Sequence, residues 1–505
     1  MTPKIVSLEQ LAQIITDAQA AGQTVAHCHG VFDPLHVGHI RHFTDARRHG
    51  VLLVVTVTPD QFVNKGPHRP VFTEALRAEA IAALSAVDYV AVNQFPTAVE
   101  TIRLLRPNVF VKGSEFRGGK DLTGAIAQEE AAVQSVGGRL DFTDDLVFSA
   151  SHLVNRHLSV FPPSVVDYLA DFAQRYSTPT VLAPLQAASD LKVLVVGETV
   201  IDDYRYVEAI GKSSKEPTLV VKALNNERFL GGAAAVANHV AGFAGEVTLH
   251  SWLGAENTQA DFIFERLKEN VRSQFVYRPN SPTIVKRRFI EQYFFAKLFE
   301  VYEINDALPT AEESAELVAS LQGQAGDYDL VIVVDFGHGM LTPELVQLIC
   351  RDARFLAVNT QANAGNYGYH VASKYPRADY VSLAENEMRL ESRDRRGDLA
   401  PMLERLAERL NCPRLMVTRG SRGSLGYSRD GGFVEVPAFA TKVVDRVGAG
   451  DAVFAITSLL AAQNVPMELI AFIGNVVGSE AVATVGNKSS IERTPLCRHI
   501  EHLLK

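Results

Sequence analysis

The sequence predicts an α/β protein built from two doubly wound domains, each with a parallel sheet. Two segments begin with a short apolar strand that stops at glycine near an acidic residue, TVAHCHGVFD (24–33) and LKVLVVGETVIDDY (191–204), as the first strand of such a domain does. After each of them, β-branched runs alternate with helical patterns, which favours buried parallel strands joined by helices. These runs are VLLVVTV (51–57), VDYVAV (87–92), NVFVKG (108–113), DLVIVVD (329–335), FLAVN (355–359), ADYVSL (378–383) and RLMVT (414–418).

The domain boundaries follow from the positions of the two first strands. The segment 161–190 carries four prolines and pieces of helical pattern, which indicates a structured linker. It separates a domain at 1–160 from one at 191–505, both of ordinary domain size. Two stretches of the second domain, 217–230 and 282–304, are β-rich with mixed charge. We expect them to form a small sheet that covers a site or contacts a second copy of the chain.

Composition limits the classes of function. The 505 residues are 47% hydrophobic and 21% charged, with a net charge of −9, which is typical of a globular protein and gives no reason to expect a nucleic-acid partner. The four cysteines are scattered, so we expect neither a disulfide framework nor a zinc knuckle, and a cytoplasmic location fits. The first residues are amphipathic with acidic side chains, unlike a signal peptide. No apolar run approaches the roughly 18–20 residues that span a bilayer, so no membrane partner is expected.

The stretch HCHGVFDPLHVGHIRHF (27–43) contains five histidines, His27, His29, His36, His39 and His42. His36 and His39 are three residues apart at a predicted helix start, so they share one helix face, and Gly38 between them lets a ligand approach the backbone. Imidazoles beside a helix N-terminus suit a phosphate whose negative charge grows during attack. A zinc site would need a third ligand and an open position, and this spacing alone does not provide them.

An ordered set of motifs resembles the cytidylyltransferase-like nucleotidyltransferases over residues 24–158. The motifs are GVFDPLHVGH, NKGPHRPVF, ALRAEAI, VDYV, RPNVFVKGSEF, GGRL and FSASHLV. The resemblance implies a Rossmann-like fold in which His36 and His39 stabilise the α-phosphate of a nucleoside triphosphate, ATP or CTP, in the transition state. The other nucleotide- and phosphate-binding groups that it implies are Gly30, Phe32, Lys65, Arg69, Lys112, Ser149 and Ser151. His27 and His29 either line the site or are structural, and His42 is expected at the surface or behind the site.

A second candidate site lies in VVDRVGAGDAVFAITSLL (443–460), where small residues precede an apolar helical pattern. Backbone N–H groups at such a helix start can point at a transferring phosphoryl group. Asp451 can accept the proton of an attacking hydroxyl. A glycine-rich turn with an N-capping aspartate is the structural alternative.

Residues 192–500 resemble the ribokinase-like carbohydrate kinases, which implies a ribokinase-like fold with a small β lid. The motifs, in family order, are GETVIDDY (197–204), GGAAAVANHVAGF (231–243), VVDFGHGML (333–341), VTRGSRGS (417–424) and DRVGAGD (445–451). The resemblance implies that Asp451 is the base and that Mg²⁺ bridges the phosphates of ATP, with Glu385 near a metal-bound water. The remaining implied residues are an anion hole at Gly448, Ala449 and Gly450, a nucleotide contact at Arg419 and Gly420, and a sugar site at Asp202, Gly231, Gly232 and Lys286.

Three departures from that family concern the acceptor and the metal. Ala235 stands where many relatives have a sugar-binding Asn, and Ser382 replaces the Asn of an N-x-x-E motif. An Asn-rich segment, AVNTQANAGNYGYH (357–370), replaces an expected Asp-Pro segment. Removing a hydrogen-bonding partner from a site changes which substrates the site accepts and which it rejects. The identity of the sugar therefore stays open, whereas phosphoryl transfer is not affected.

Together the two halves resemble bifunctional ADP-heptose synthases, with the kinase placed second instead of first. This implies a sugar-phosphate kinase and a sugar 1-phosphate nucleotidyltransferase that make a nucleotide-activated sugar, and a homo-oligomer formed through the kinase lid. Two alternatives stay open. Either one half, more readily the kinase, is a non-catalytic ligand-binding or scaffold module, or the first domain is a cytidylyltransferase that forms a CDP-alcohol.

Overall fold

The structure is a computed structural model that describes residues 4–63, 70–114, 125–143 and 161–504. The chain divides into two compact units, residues 1–170 with 501–505 and residues 171–500. In the described part of the chain, no helix combines the length and the apolar character needed to cross a bilayer.

The N-terminal unit contains a sheet of five parallel strands in the order β3-β2-β1-β4-β5. The strands are β1 (Val25–Gly30), β2 (Leu52–Val57), β3 (Tyr89–Val92), β4 (Val109–Lys112) and β5 (Arg139–Phe142). The helices described in this unit include Leu8–Ala20, Val37–Ala46, Glu74–Ala82, Ala98–Leu105 and Ala125–Ser135.

Adjacent residues of β2 pack into different apolar clusters. Leu53 and Val55 belong to one cluster, and Val54 to another. Because alternate residues of a strand point to opposite faces of the sheet, both faces of this sheet are buried. A near-continuous apolar strand sequence is the pattern that such burial requires, and the predicted doubly wound fold is confirmed.

The C-terminal unit is built on a sheet of nine strands in the order β10-β9-β6-β13-β14-β15-β16-β17-β18. Neighbours are parallel from β10 to β16, and the last two pairs are antiparallel. The strands are β6 (Lys192–Gly197), β9 (Glu246–Glu256), β10 (Val271–Pro282), β13 (Leu330–Asp335), β14 (Leu356–Thr360), β15 (Tyr380–Ala384), β16 (Arg414–Thr418), β17 (Ser424–Ser428) and β18 (Gly432–Val436). The helices that follow the first of these strands are Gly232–Ala241, Ala260–Arg266, Ala311–Leu321, Pro343–Asp352, Glu385–Ser392, Leu399–Arg409, Ala449–Ala462, Met467–Ala481 and Arg493–Leu503.

A second, four-stranded sheet in this unit, the lid sheet, has the order β12-β11-β7-β8. Its strands are β7 (Thr199–Lys212), β8 (Leu219–Gly231), β11 (Ile284–Glu291) and β12 (Ala296–Glu303). The central pair β7 and β11 is parallel, and both outer pairs are antiparallel. The two β-rich stretches of the sequence fall in this sheet, which confirms the predicted small β lid.

The segment 161–190 folds into two helices, Pro163–Arg175 and Thr178–Ala187. The ring of Phe172 stacks on that of Phe472 with centroids 4.1 Å apart, and Arg175 pairs with Glu468 at 2.5 Å. From residue 171 onward, the segment read as a linker is therefore packed into the C-terminal unit.

Candidate functional site

The C-terminal unit contains a cavity of about 280 Å³ between the main sheet and the lid sheet. Its wall includes Phe336, Gln361 and Thr418, which end or directly follow β13, β14 and β16. These strands are parallel, so their carboxyl ends meet at one edge of the sheet, where α/β proteins bind their ligands. We call this space the C-terminal cavity.

The stretch that contains Asp451 forms one wall of the C-terminal cavity. Gly448 is the residue before the helix Ala449–Ala462, with φ at 80°, and both Gly448 and Gly450 line the cavity. A Cβ atom on Gly448 would lie 2.0 Å from Asn487 Oδ1, so only glycine fits this left-handed turn. The backbone N–H groups of the first helical turn have no partner within the helix, and a phosphoryl group is a suitable acceptor for them.

Asp451 is 7% exposed and lines the C-terminal cavity. Burial raises the pKa of this carboxyl to about 7, although a hydrogen bond from Gln361 opposes the shift. A carboxylate whose pKa lies near 7 is matched to general-base work at neutral pH. The side chain does not act as the N-cap of this helix, because Gly448 occupies that position without a side-chain cap.

The lid sheet contributes charged groups of both signs to the C-terminal cavity. Asp202 and Lys286 are paired in register on β7 and β11, and Arg288 forms an ion pair with Asp202. Burial lowers the pKa of Lys286. In the described part of the chain, the Lys286 ammonium contacts two aromatic faces, Tyr302 at 5.2 Å and Phe336 at 5.0 Å, and no carboxylate within 4.0 Å.

The two glycines predicted for the sugar site lie where other atoms approach their backbone too closely for a side chain. A Cβ atom on Gly231 would lie 2.6 Å from Asp202 Oδ2, and one on Gly232, where φ is +58°, would lie 2.3 Å from the carbonyl oxygen of Glu198. Gly232 lines the C-terminal cavity. Ala235 is buried in the helix Gly232–Ala241 and is not among the lining residues.

Two acids two residues apart have different surroundings. The predicted Glu385 does not line the C-terminal cavity; it pairs with Arg389 at 2.9 Å and with Arg422. Glu387 lines the cavity, and its carboxylate accepts hydrogen bonds from the backbone N–H of Ala384 at 2.7 Å and of Ala362 at 3.2 Å. Burial raises the pKa of Glu387 to about 7. Of these two glutamates, Glu387 is therefore the one at the cavity wall.

The predicted nucleotide contacts Arg419 and Gly420 directly follow the lining residue Thr418 but are not themselves among the lining residues. Arg419 forms an ion pair with Glu435 at 2.5 Å. Ala449 is the first residue of its helix and also lies outside the lining set. Ser382 and the Asn-rich segment, through Asn359 and Gln361, do line the C-terminal cavity.

Sequence reasoning missed Asp445, the residue that anchors the start of the glycine turn. Its carboxylate accepts hydrogen bonds from the hydroxyl of Tyr204 at 2.6 Å and from the backbone N–H of Val447 at 3.2 Å. It also pairs with Lys297 of β12 at 2.6 Å. The glycine turn is therefore tied to two strands of the lid sheet.

In the N-terminal unit, His36 and His39 lie together at the start of the helix Val37–Ala46. Their rings stack with centroids 3.8 Å apart. His36 is the N-cap, and its Nδ1 accepts the backbone N–H of Gly38 at 3.0 Å. A neutral His36 with this bond carries its ring proton on Nε2, which can donate to a phosphate oxygen.

Gly30 and Phe32 shape the loop between β1 and this helix. Phe32 has a φ of 51°, and its ring meets His39 edge-on with centroids 5.4 Å apart. A Cβ atom on Gly30 would lie 2.9 Å from Phe32 Cζ.

Asp33 and Arg77, which sequence reasoning did not single out, are both buried. Asp33 accepts a hydrogen bond from the backbone N–H of Phe72 at 2.9 Å. Arg77 donates one to the backbone carbonyl of Val31 at 2.5 Å.

The other three histidines of the cluster have threonine partners. His27 and His29 both lie 2.8 Å from Thr56 Oγ1, and His42 lies 3.1 Å from Thr143 Oγ1. Burial and the charge of Lys112 lower the pKa of His27 to about 3 and that of His42 to about 4, and they lower the pKa of His29 as well. These histidines are neutral at pH 7, while Lys112 pairs with Glu129 at 2.8 Å.

The predicted residues Lys65, Arg69, Ser149 and Ser151 lie outside the described residues. Within the described ranges, no group of three or more His, Cys, Asp or Glu side chains is arranged to hold a metal ion.

Two known protein families match separate parts of the chain. Residues 190–494 match the pfkB family carbohydrate kinases. The chain belongs to the pfkB family. Residues 27–150 match the cytidylyltransferase-like family, so this pfkB protein carries a second, N-terminal match as well.

Curated relatives of this pfkB protein include bifunctional proteins named HldE. The HldE of Citrifermentans bemidjiense is 25% identical over 307 residues, which cover 60% of this chain and 62% of the relative. The HldE of Syntrophotalea carbinolica is 40% identical over 147 residues, which cover 28% of each chain. Each match thus spans less than two thirds of the relative's length.

Solved structures match the pfkB portion. Phosphofructokinase-2 from Escherichia coli in complex with potassium has a TM-score of 0.52 at 15% identity, covering 62% of this chain and 100% of that one. The same enzyme in complex with fructose-6-phosphate has a TM-score of 0.51 at 15% identity. Likeness at this level of identity concerns the fold.

Proposed function

We propose that the chain is a two-site enzyme, a sugar-phosphate kinase in the C-terminal unit and a sugar 1-phosphate nucleotidyltransferase in the N-terminal unit. One observation carries the kinase assignment. Asp451, with a pKa of about 7, lies at a helix start in the same cavity as Lys286 and Asp202. That set joins a base, an anion-binding turn and a cationic pocket, as phosphoryl transfer to a hydroxyl requires.

In the proposed kinase step, the acceptor hydroxyl gives its proton to Asp451 as its oxygen attacks the γ-phosphorus of ATP. The new oxygen–phosphorus bond forms while the bond to the β,γ-bridging oxygen breaks, and ADP leaves. The N–H groups at Gly448 to Gly450 stabilise the charge on the transferring group. Mg²⁺, when bound to the ATP phosphates, would neutralise part of their charge. Glu387, or Glu385 through a water molecule, is the acid that would hold the ion.

Lys286 supports a phosphorylated acceptor. A buried ammonium group without a carboxylate partner is unfavourable, so an anion that reaches it gains more than it would from an exposed lysine. Arg288 is already paired with Asp202, whereas Lys286 has no carboxylate within 4.0 Å among the described residues and is attracted by Asp202, Asp451 and Glu198 only from longer range. A sugar phosphate fits this pocket better than a neutral sugar.

At the proposed N-terminal site, a sugar 1-phosphate oxygen attacks the α-phosphorus of ATP or CTP, and pyrophosphate leaves. His36 and His39 donate hydrogen bonds to the α-phosphate oxygens as charge develops there. Losing one such donor costs roughly 2.7–4 kcal/mol of transition-state stabilisation. The product is a nucleotide-activated sugar, of which ADP-heptose is the example suggested by the HldE relatives.

Two variants test the assignment of two separate sites. The purified protein is incubated with Mg²⁺, ATP or CTP, and a panel of hexose and heptose phosphates, and products are identified by mass spectrometry. Asp451→Asn should abolish phosphorylation but keep nucleotidyl transfer to a supplied sugar 1-phosphate, and His39→Ala should do the reverse. Matched controls are Asp352→Asn, which removes an acid paired with Arg351, and His49→Gln, which removes a histidine paired with Asp141. Loss of both activities in either folded site variant, or ATP binding without turnover in the wild type, would refute the proposal.

We also propose that the protein forms a homo-oligomer through the lid sheet. Large apolar side chains are exposed along it: Ile210 60%, Leu219 55%, Leu224 44%, Phe299 46% and Val301 42%. Such a concentration of exposed apolar residues marks an interaction surface. Light scattering coupled to gel filtration should give more than one chain per particle, and Leu224→Lys with Phe299→Lys should give the mass of one chain. A single-chain mass for the wild type at micromolar concentration would refute this.

A further inference from the structure

A side-chain amide that belongs to none of the predicted site residues contacts the proposed base. Gln361 is the first residue after β14, and its Nε2 donates a hydrogen bond to Oδ1 of Asp451. The residue is half-buried and lines the C-terminal cavity. It occurs in the Asn-rich segment, which replaces a segment expected from the resemblance to carbohydrate kinases.

The position of Gln361 is fixed by its neighbours. Its backbone N–H donates to the carbonyl of Asp335 at 2.9 Å. The side-chain amides of Asn363 and Asn366 both donate to the carbonyl of Phe336, at 2.7 and 2.8 Å. These bonds tie the loop after β14 to the end of β13, so the Gln361 side chain leaves from an anchored backbone.

We propose that Gln361 is a positioning residue that engages one oxygen of Asp451 and directs the other toward the acceptor hydroxyl. This inference rests on the proposed kinase function. A carboxamide keeps its N–H donors at every pH, so it stabilises the ionised carboxylate throughout the working range. The bond also removes the rotational freedom of the carboxylate, which favours a productive geometry.

Several charged groups face Asp451 from other elements. Asp202 of the lid sheet and Glu387 disfavour its ionised form, whereas Lys286 favours it. Arg288 and Arg446 line the same cavity. Gln361 is the partner that acts through a direct hydrogen bond, and this bond lowers the pKa of Asp451. Without it, burial and the two nearby carboxylates raise that pKa further.

The direct test is a carbon-13 NMR titration of the full chain labelled at the aspartate carboxyl carbons, with Asp451→Asn to assign the signal. Gln361→Met keeps the length of the side chain but removes the amide. Because a hydrogen bond to a charged group is lost, the pKa of Asp451 should rise by about one unit. Gln347→Met, at an exposed helix position, should leave it unchanged. An unchanged Asp451 pKa in folded Gln361→Met, or an equal change in the control, overturns the inference; Gln361→Ala carries the same prediction if the Met variant does not fold.

Kinetics give the second readout, on whichever sugar phosphate of the panel the wild type phosphorylates. For Gln361→Met, kcat/KM should fall at every pH because the carboxylate is no longer held in place, and it should fall about tenfold further on the acidic side of the pH profile than on the alkaline side, as a shift of one unit requires. A merely structural role would lower kcat/KM equally at every pH. The titration needs no acceptor, so it still decides the Gln361–Asp451 coupling if the kinase proposal fails. If Asp451→Asn is inactive but the Gln361→Met profile superimposes on the wild type, only the positioning role fails.

Discussion

Two glycines two residues apart should respond oppositely to the same substitution. At Gly448, φ is +80° and a Cβ atom would lie 2.0 Å from Asn487 Oδ1. At Gly450, a Cβ atom would have nothing within 4 Å, and the residue lies inside the helix Ala449–Ala462. Gly448→Ala and Gly450→Ala therefore form a matched pair in one motif.

The expected size of the effect follows from these contacts. Alanine in a left-handed conformation costs about 1–2 kcal/mol, and moving Asn487 out of the overlap costs a further ~1–3 kcal/mol. Gly448→Ala should thus lower the free energy of unfolding by about 2–5 kcal/mol. Gly450→Ala should raise it by about 0.5–1 kcal/mol, since alanine is the better residue in a helix.

The single tryptophan, Trp252, is buried in β9, so its fluorescence reports unfolding of the C-terminal unit. At about 2 °C per kcal/mol, the midpoint of its thermal transition should fall by about 4–10 °C in Gly448→Ala and should not fall in Gly450→Ala. Gly450→Ala should still impair phosphorylation, because the added methyl group enters the C-terminal cavity. Equal midpoints for the two variants would show that the turn geometry described for Gly448 is wrong.

Four further outcomes are expected. Wild-type kcat/KM for phosphorylation should rise through about pH 7, where Asp451 ionises, as a pH–rate profile would show. Lys286→Met should raise KM for a sugar phosphate at least tenfold but leave KM for the unphosphorylated sugar unchanged, and equal changes would refute the role of Lys286. Lys297→Met, which removes the partner of Asp445, should lower the Trp252 midpoint by a few degrees, while Lys297→Arg should not. The pKa of His27 falls from 6.5 to about 3 on folding, so the unfolded chain binds more protons between these values and the N-terminal unit loses stability as pH falls below about 6.5. After division by the intrinsic exchange rate at each pH, hydrogen exchange of β1 amides should be faster at pH 5.5 than at pH 7, and less so in His27→Gln.

Strand positions could be predicted because buried parallel strands are continuous apolar runs. DLVIVVD and FLAVN contain β13 and most of β14. The two antiparallel strands at one end of the main sheet, β17 (SLGYS) and β18 (GFVEV), were not predicted. They are short, they contain glycine, and they are only partly buried, so neither run has a distinct pattern.

The choice between Glu385 and Glu387 could not be made from the sequence, because it depends on where a helix begins. The helix starts at Glu385, and Glu387 turns back to the N–H of Ala384 in a capping arrangement. Glu385 then faces Arg389 one turn later. A shift of the helix start by one or two residues, which a sequence pattern does not resolve, would exchange the surroundings of the two acids. The Arg288–Asp202 pair was missed for a related reason, since it depends on the register of β11 against β7.

Both units place their candidate groups where a helix begins, yet they use different chemistry there. In the N-terminal unit, His36 accepts the N–H of Gly38 and carries its ring proton on Nε2, so it can donate without being charged. A proton on Nδ1 would break that bond, and the lowered pKa values of His27, His29 and His42 keep the surrounding histidines neutral. A donor set of this kind stabilises charge on a phosphate but does not remove a proton. A sugar 1-phosphate is already ionised at neutral pH and needs no base, whereas a sugar hydroxyl does, and the carboxylate with a pKa near 7 lies in the other unit. The two proposed reactions therefore need different groups. The chain carries the histidine donors in one unit and the carboxylate base in the other.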